Sequence, residues 1–128
     1  MSRSQKLLAS FFTVAGTMHF VRPREYAAIM PPYVPAHRVA VIASGAAELI
    51  GGLTVIPPAT RRFAGWWLIA VLVAVFPANV HMALHRDEVA KKGVPANRIP
   101  RWLLWARLAL QPLMMLWAWR ATRPSGWR

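Results

Sequence analysis

The chain has 128 residues, 56% of them hydrophobic, and a net charge of +12, which fits one compact unit and leaves little room for a second. Nucleic acid is excluded as the reason for the charge: 15 of the 16 Lys and Arg lie outside the apolar runs, in short clusters suited to anionic headgroups. There is also no basic helix face, RNA-binding signature or zinc spacing. The absence of cysteine excludes disulfides, thiolate metal sites and thiol–disulfide exchange, so any redox role needs a bound cofactor or a partner.

In chain order, the apolar runs are residues 7–21, 39–57, 63–84 and 102–119. A bilayer core of about 30 Å needs about 20 helical residues, so the second, third and fourth runs qualify, and the first does when extended over residues 4–6. The expected fold is an all-α membrane protein: a single domain forming a four-transmembrane-helix bundle, with helices at about 5–21, 39–57, 63–84 and 102–120 and two long loops on one face. Tryptophans at run ends, Trp66 and Trp67, Trp102 and Trp105, Trp117 and Trp119, fit two headgroup levels. Arg3 and Lys6 before an apolar stretch resemble a secretory signal, but the stretch continues through Met18 and Phe20 and is expected to remain as the first helix. The expected location is the bacterial inner membrane. Basic residues divide almost evenly between the two faces, and their tight clustering beside the helices on the N-terminal side places both termini in the cytoplasm.

The connections are unequal. Residues 58–62 form a tight turn, whereas residues 22–38 and 85–101 are proline-rich loops of 17 residues on one side. Pro23 can open a short interfacial helix that Pro31 and Pro32 close, carrying Tyr26, Ile29 and Met30 into the headgroup zone; an irregular loop pinned by prolines is the other reading. The halves echo each other, since each contains a helix ending near a histidine, a long loop and a helix with a buried polar residue.

The interior polar residues are the candidate site. Glu48 is the only acid and Arg107 the only base within an apolar run, and each costs about 2.5 to 3.5 kcal/mol at a helix centre facing lipid. They are expected to face each other, with backbones differing in depth by about 6 Å. Gln111 lies one turn from Arg107, and His19, Asn79 and His81 lie near the same membrane face. Pro77 and Pro112 each free a carbonyl one turn back. Together these residues describe a polar cavity beneath the long loops. Their other reading is simple interhelical glue, worth about 0.6 kcal/mol each. Ser44, Glu48 and Gly52 form one stripe of "SGAAELIGG" and Ala47 and Gly51 the next, a small-residue pattern for close packing. His85 is expected to be solvated.

Haem held by His19 and His81 is the sharpest cofactor alternative, but both lie near the membrane surface and no second pair supports them, so haem ranks below quinone. A di-metal carboxylate site is ruled against because one buried acid cannot supply it. No nucleophile with its base and no phosphate loop is present, which points away from an enzyme acting by itself and assigns no catalytic residue.

The segments "GTMHF", "IMPPYVP", "SGAAELIGG", "RRFAGWWL", "FPANVHMAL" and "RLALQ" together resemble the DoxX-like family of small bacterial membrane proteins, over nearly the whole chain. The resemblance implies a four-helix membrane bundle and association with membrane redox complexes; it carries over no catalytic residues. Two functions follow. One is an accessory or quinone-interacting subunit of a membrane redox system, with His81, Asn79 or Gln111 binding a quinone head and Glu48 and Arg107 tuning protonation. The other is a non-catalytic binding or assembly factor that holds a lipid or a partner helix in the cavity.

Overall fold

The structure is a computed structural model that describes residues 1–91 and 99–123, apart from the side chains of Val89 and Ala90. Lys92, Arg98 and Arg128, which entered the charge balance, lie outside the described residues, as does the middle of the second long loop. Six helices follow in order: α1 Arg3–Val21, α2 Pro23–Ala28, α3 His37–Thr54, α4 Pro58–Leu84, α5 Arg86–Lys91 and α6 Arg101–Thr122. No strand occurs among the described residues.

The expected four-transmembrane-helix bundle is corrected. Among the described residues only α4 is both long and apolar enough to cross a membrane by length and composition. The reason lies in what the apolar runs passed over. α1 and α3 have 19 and 18 residues, about 27 to 29 Å of helix, and include Gln5, Lys6 and His19 or His37, Arg38 and Glu48. α6 is long enough at 22 residues but contains Arg101, Arg107, Gln111 and Arg120. Each long loop contributes a six-residue helix: α2 agrees with the helical reading of the first loop, and α5 in the second was not expected.

Local chemistry sets the helix ends. α1 starts at Arg3 because Ser2 forms a capping box: its hydroxyl accepts from the Gln5 N–H and its own N–H donates to the Gln5 side chain. α4 starts at Pro58, which needs no amide partner in a first turn, so residues 58–62 are helix and the tight turn is residues 55–57. α3 opens on Ala36, whose φ of 50° is left-handed, the one positive φ at a non-glycine residue among the described residues. The two halves match at one junction. Arg22 after α1 and His85 after α4 have nearly the same backbone angles, φ −128° ψ 54° and φ −125° ψ 40°, and each donates its N–H to the carbonyl four residues back before a short helix begins.

The four long helices form a ring in which α1 packs on α3, α3 on α4, α4 on α6 and α6 on α1. Helix α3 meets two neighbours because its small residues occupy two faces. A Cβ on Gly52 would lie 2.7 Å from the Thr13 amide nitrogen of α1, and Trp67 of α4 donates to the Ala47 carbonyl at 2.7 Å. Trp67 is therefore a tie between helices as well as an aromatic near a run end. The apolar core falls into two clusters. One joins Leu8, Phe12, Leu68, Leu72 and Ala118; the other joins Met82, Ala83, Leu104 and Leu108. At the end of α6, buried Gln5 donates to the Ala121 carbonyl at 2.9 Å, which satisfies an orphan carbonyl of that helix.

Candidate functional site

A cavity of about 390 Å3 is lined by residues of α1, α3, α4 and α6 and of the segment around α2. Its lining changes along the bundle axis. At the end beneath α2 it presents His19, Ser44, Glu48, Asn79, Arg107 and Gln111; toward the middle it presents Phe12, Leu72 and Met114. Each side chain arrives for a local reason. Ser44 and Glu48 are one turn apart on α3, and Arg107, Gln111 and Met114 succeed one another along one face of α6. The small helix α2 and the turn that follows it cover the polar end with Tyr26, Ile29 and Met30.

Five of the six expected site residues, His19, Glu48, Asn79, Arg107 and Gln111, line this one cavity. His81 does not line it; it is buried beside His85, with ring centroids 4.8 Å apart. The expected pairing of Glu48 with Arg107 gives way to a different one. Glu48 Oε2 lies 3.4 Å from His19 Nδ1, because α1 and α3 cross closely at glycines and bring these two side chains together. Arg107 instead points its Nη1 at the Met82 sulfur, 3.8 Å away, and remains exposed.

The His19 and Glu48 contact is not a full hydrogen bond. The Ala15 carbonyl lies 2.8 Å from His19 Nδ1 and can only accept, so Nδ1 carries a proton and gives it to that carbonyl. Glu48 Oε2 is left buried without a hydrogen-bond partner, in a residue only 7% exposed. The other face of His19 is covered by Tyr26, stacked at 3.9 Å between ring centroids and 21° between planes. Burial pushes the Tyr26 phenol above its ordinary 10.0; the Glu48 charge acts in the same direction and the Arg107 charge opposes it. Across the cavity, Asn79 donates its side-chain amide to the Gln111 side-chain oxygen at 2.9 Å and links α4 to α6.

Tyr26 was named from the sequence as a headgroup residue; the structure makes it the lid of the site. The signal for that was present in Pro23, which opens α2, and in the apolar Ile29 and Met30 that follow it. Ser44 was read only as a packing residue and lines the cavity. Gly52, expected on the same stripe as Ser44 and Glu48, packs on Thr13 and Ala9 of α1, the helix whose His19 Glu48 meets. Among the described residues no group of three or more His, Asp or Glu could hold a metal ion. The cavity's chemistry is that of binding: acceptors and donors at one end, hydrocarbon at the other.

Residues 8–122 match the family model described as a domain of unknown function, DUF8561. The chain belongs to the DUF8561 family. The DUF8561 match takes in all four walls of the cavity and the α2 lid, so the site belongs to the family's own domain. No curated protein and no solved structure matches the DUF8561 chain. Nothing in these comparisons links the DUF8561 domain to the DoxX-like proteins, and no residue role is taken from them.

Proposed function

We propose that this protein is a non-catalytic membrane component that holds an amphiphile in its cavity, with the polar head under α2 and the apolar tail running between the helices. The observation that carries the reading is the gradient in one cavity, from His19, Glu48, Asn79, Arg107 and Gln111 to Phe12, Leu72 and Met114. A water-soluble ligand would not use the apolar end, and a pure hydrocarbon would leave the polar end unpaired.

The bacterial inner membrane is the proposed location. Its support is α4, together with the apolar side chains that the helices turn outward. Phe63, Trp66, Val73 and Phe76 of α4 are exposed, as are Leu7 and Val14 of α1 and Leu113 and Leu116 of α6. A core helix of a water-soluble domain would bury such residues, and patches of this kind mark a membrane or a partner. A quinone is the second class of occupant. Its carbonyls would accept hydrogen bonds from Arg107, Tyr26 or Gln111, which would make the protein an accessory subunit of a redox system.

The test is fractionation of cells followed by mild-detergent purification, an absorbance spectrum and mass spectrometry of extracted small molecules. Retention in carbonate-washed membranes with a stoichiometric amphiphile is the expected result. Recovery of the protein from the soluble fraction, or with an empty cavity, would overturn the reading, and a stoichiometric quinone would move it to the redox role.

A further inference from the structure

We propose that the cavity's occupant is a phospholipid whose head carries a primary ammonium beside its phosphate, with the ammonium held by Glu48 and the phosphate by Arg107. This inference rests on the amphiphile reading above and names the class of head.

The ammonium is required by Glu48. Its Oε2 is buried without a hydrogen-bond partner, and Glu48 is among the residues that line the cavity. The nearest proton, on His19 Nδ1, is already given to the Ala15 carbonyl, and the nitrogen stands 3.4 Å away. A buried carboxylate without a cation and a donor is costly, and a partner that supplies both relieves it. A primary ammonium is such a partner, since it has three N–H donors around a compact charge. A quaternary ammonium would set methyl groups against the acid and leave the oxygen unpaired.

The phosphate is assigned to Arg107. This guanidinium lines the same cavity from α6, and the acceptor at its Nη1 is a thioether sulfur, a weak one. Its other donors form the planar fork that matches phosphate oxygens two at a time. Glu48 from α3 and Arg107 from α6 line the same cavity as Tyr26. Opposite charges at two positions in one cavity suit a zwitterionic head better than an anionic or a neutral one. The acyl end is provided for by Phe12, Leu72 and Met114, which is why a lipid is favoured over a free head group.

The test uses the full chain, delipidated in mild non-ionic detergent and titrated with phosphatidylethanolamine, phosphatidylcholine, phosphatidylglycerol and soluble phosphoethanolamine, with binding read by native mass spectrometry. Phosphatidylethanolamine should be retained about tenfold over phosphatidylcholine, equivalent to about 1.4 kcal/mol, and phosphoethanolamine should not compete. Glu48→Gln, which keeps the shape of the side chain, should bring the two lipids to equal retention. Arg107→Gln should weaken both lipids alike and keep their ratio. Equal retention of the two lipids by the unmodified protein would overturn the proposal without any variant, as would a preference that survives Glu48→Gln in a folded protein. Binding of an amphiphile without preference for the amine sinks this inference alone; failure of every amphiphile to bind sinks the reading it rests on as well.

Discussion

His19 Nδ1 sits between two acceptors, 2.8 Å from the Ala15 carbonyl and 3.4 Å from Glu48 Oε2, and the nearer one takes its proton. The carbonyl belongs to the helix that carries His19, so this bond is made within α1 and needs no contact from α3. Glu48 faces a histidine whose Nδ1 proton is already engaged. Replacing His19 by Phe keeps a ring against Tyr26 but removes the neighbouring imidazole from a buried acid. The expected outcome is a loss of about 1 to 3 kcal/mol in stability, measured by reversible denaturation in detergent, and recovery of most of that loss in the double variant His19→Phe with Glu48→Gln.

The α1 and α3 crossing depends on backbone approach. A Cβ at Gly16 would stand 2.6 Å from the Leu49 amide nitrogen and 2.7 Å from the Gly45 carbonyl oxygen. Both are backbone atoms and cannot move aside as a side chain would. Gly16→Ala should therefore force the helices apart, lower stability by about 1 to 3 kcal/mol and loosen the His19 and Glu48 contact a turn away. Thermal melting of the purified protein checks the first effect.

At the start of α3, Ala36 holds a left-handed backbone that costs an L-residue roughly 1 to 2 kcal/mol and glycine little. Ala36→Gly should raise stability, with the gain reduced to about 0.5 to 1 kcal/mol by the greater freedom of glycine in the unfolded chain. A lower melting temperature for this variant would show that the strain is not there.

Asn79 and Gln111 share one hydrogen bond across the cavity. A double-mutant cycle with Asn79→Ala and Gln111→Ala should give a coupling of about 0.5 to 1.5 kcal/mol, the range for one intramolecular hydrogen bond. A coupling near zero would mean that the two amides face a ligand or water rather than each other.

The Tyr26 phenol has a pH signature. Its acid dissociation lies above the ordinary 10.0 because burial disfavours the phenolate, so the folded protein holds this proton more tightly than the unfolded chain. Stability contributed by Tyr26 is complete below pH 10 and falls as the pH rises through the raised value. Spectrophotometric titration should show a late phenolate step that Tyr26→Phe removes.

The sequence by itself determined the helices and the polar residues that could matter. Apolar runs bounded by prolines and charges fix where helix can form, and a lone acid or base inside such a run stands out because burying it is expensive. That logic named His19, Glu48, Asn79, His81, Arg107 and Gln111, and it offered a helix opening at Pro23 as one of two readings of the first long loop. It also misjudged the spans: runs measured by apolar content hid the polar residues within α1, α3 and α6, and with them the finding that α4 alone is long and apolar enough to cross a membrane. Partners were decided only by the tertiary structure. Whether Glu48 meets Arg107 or His19 depends on how closely α1 and α3 approach, and that distance is set by glycines on two separate helices whose facing cannot be read from either one. The same holds for the α2 lid over His19 and for the orientation of His81 away from the cavity. Helical periodicity gives each residue its face; which faces meet is fixed by packing among all the helices at once.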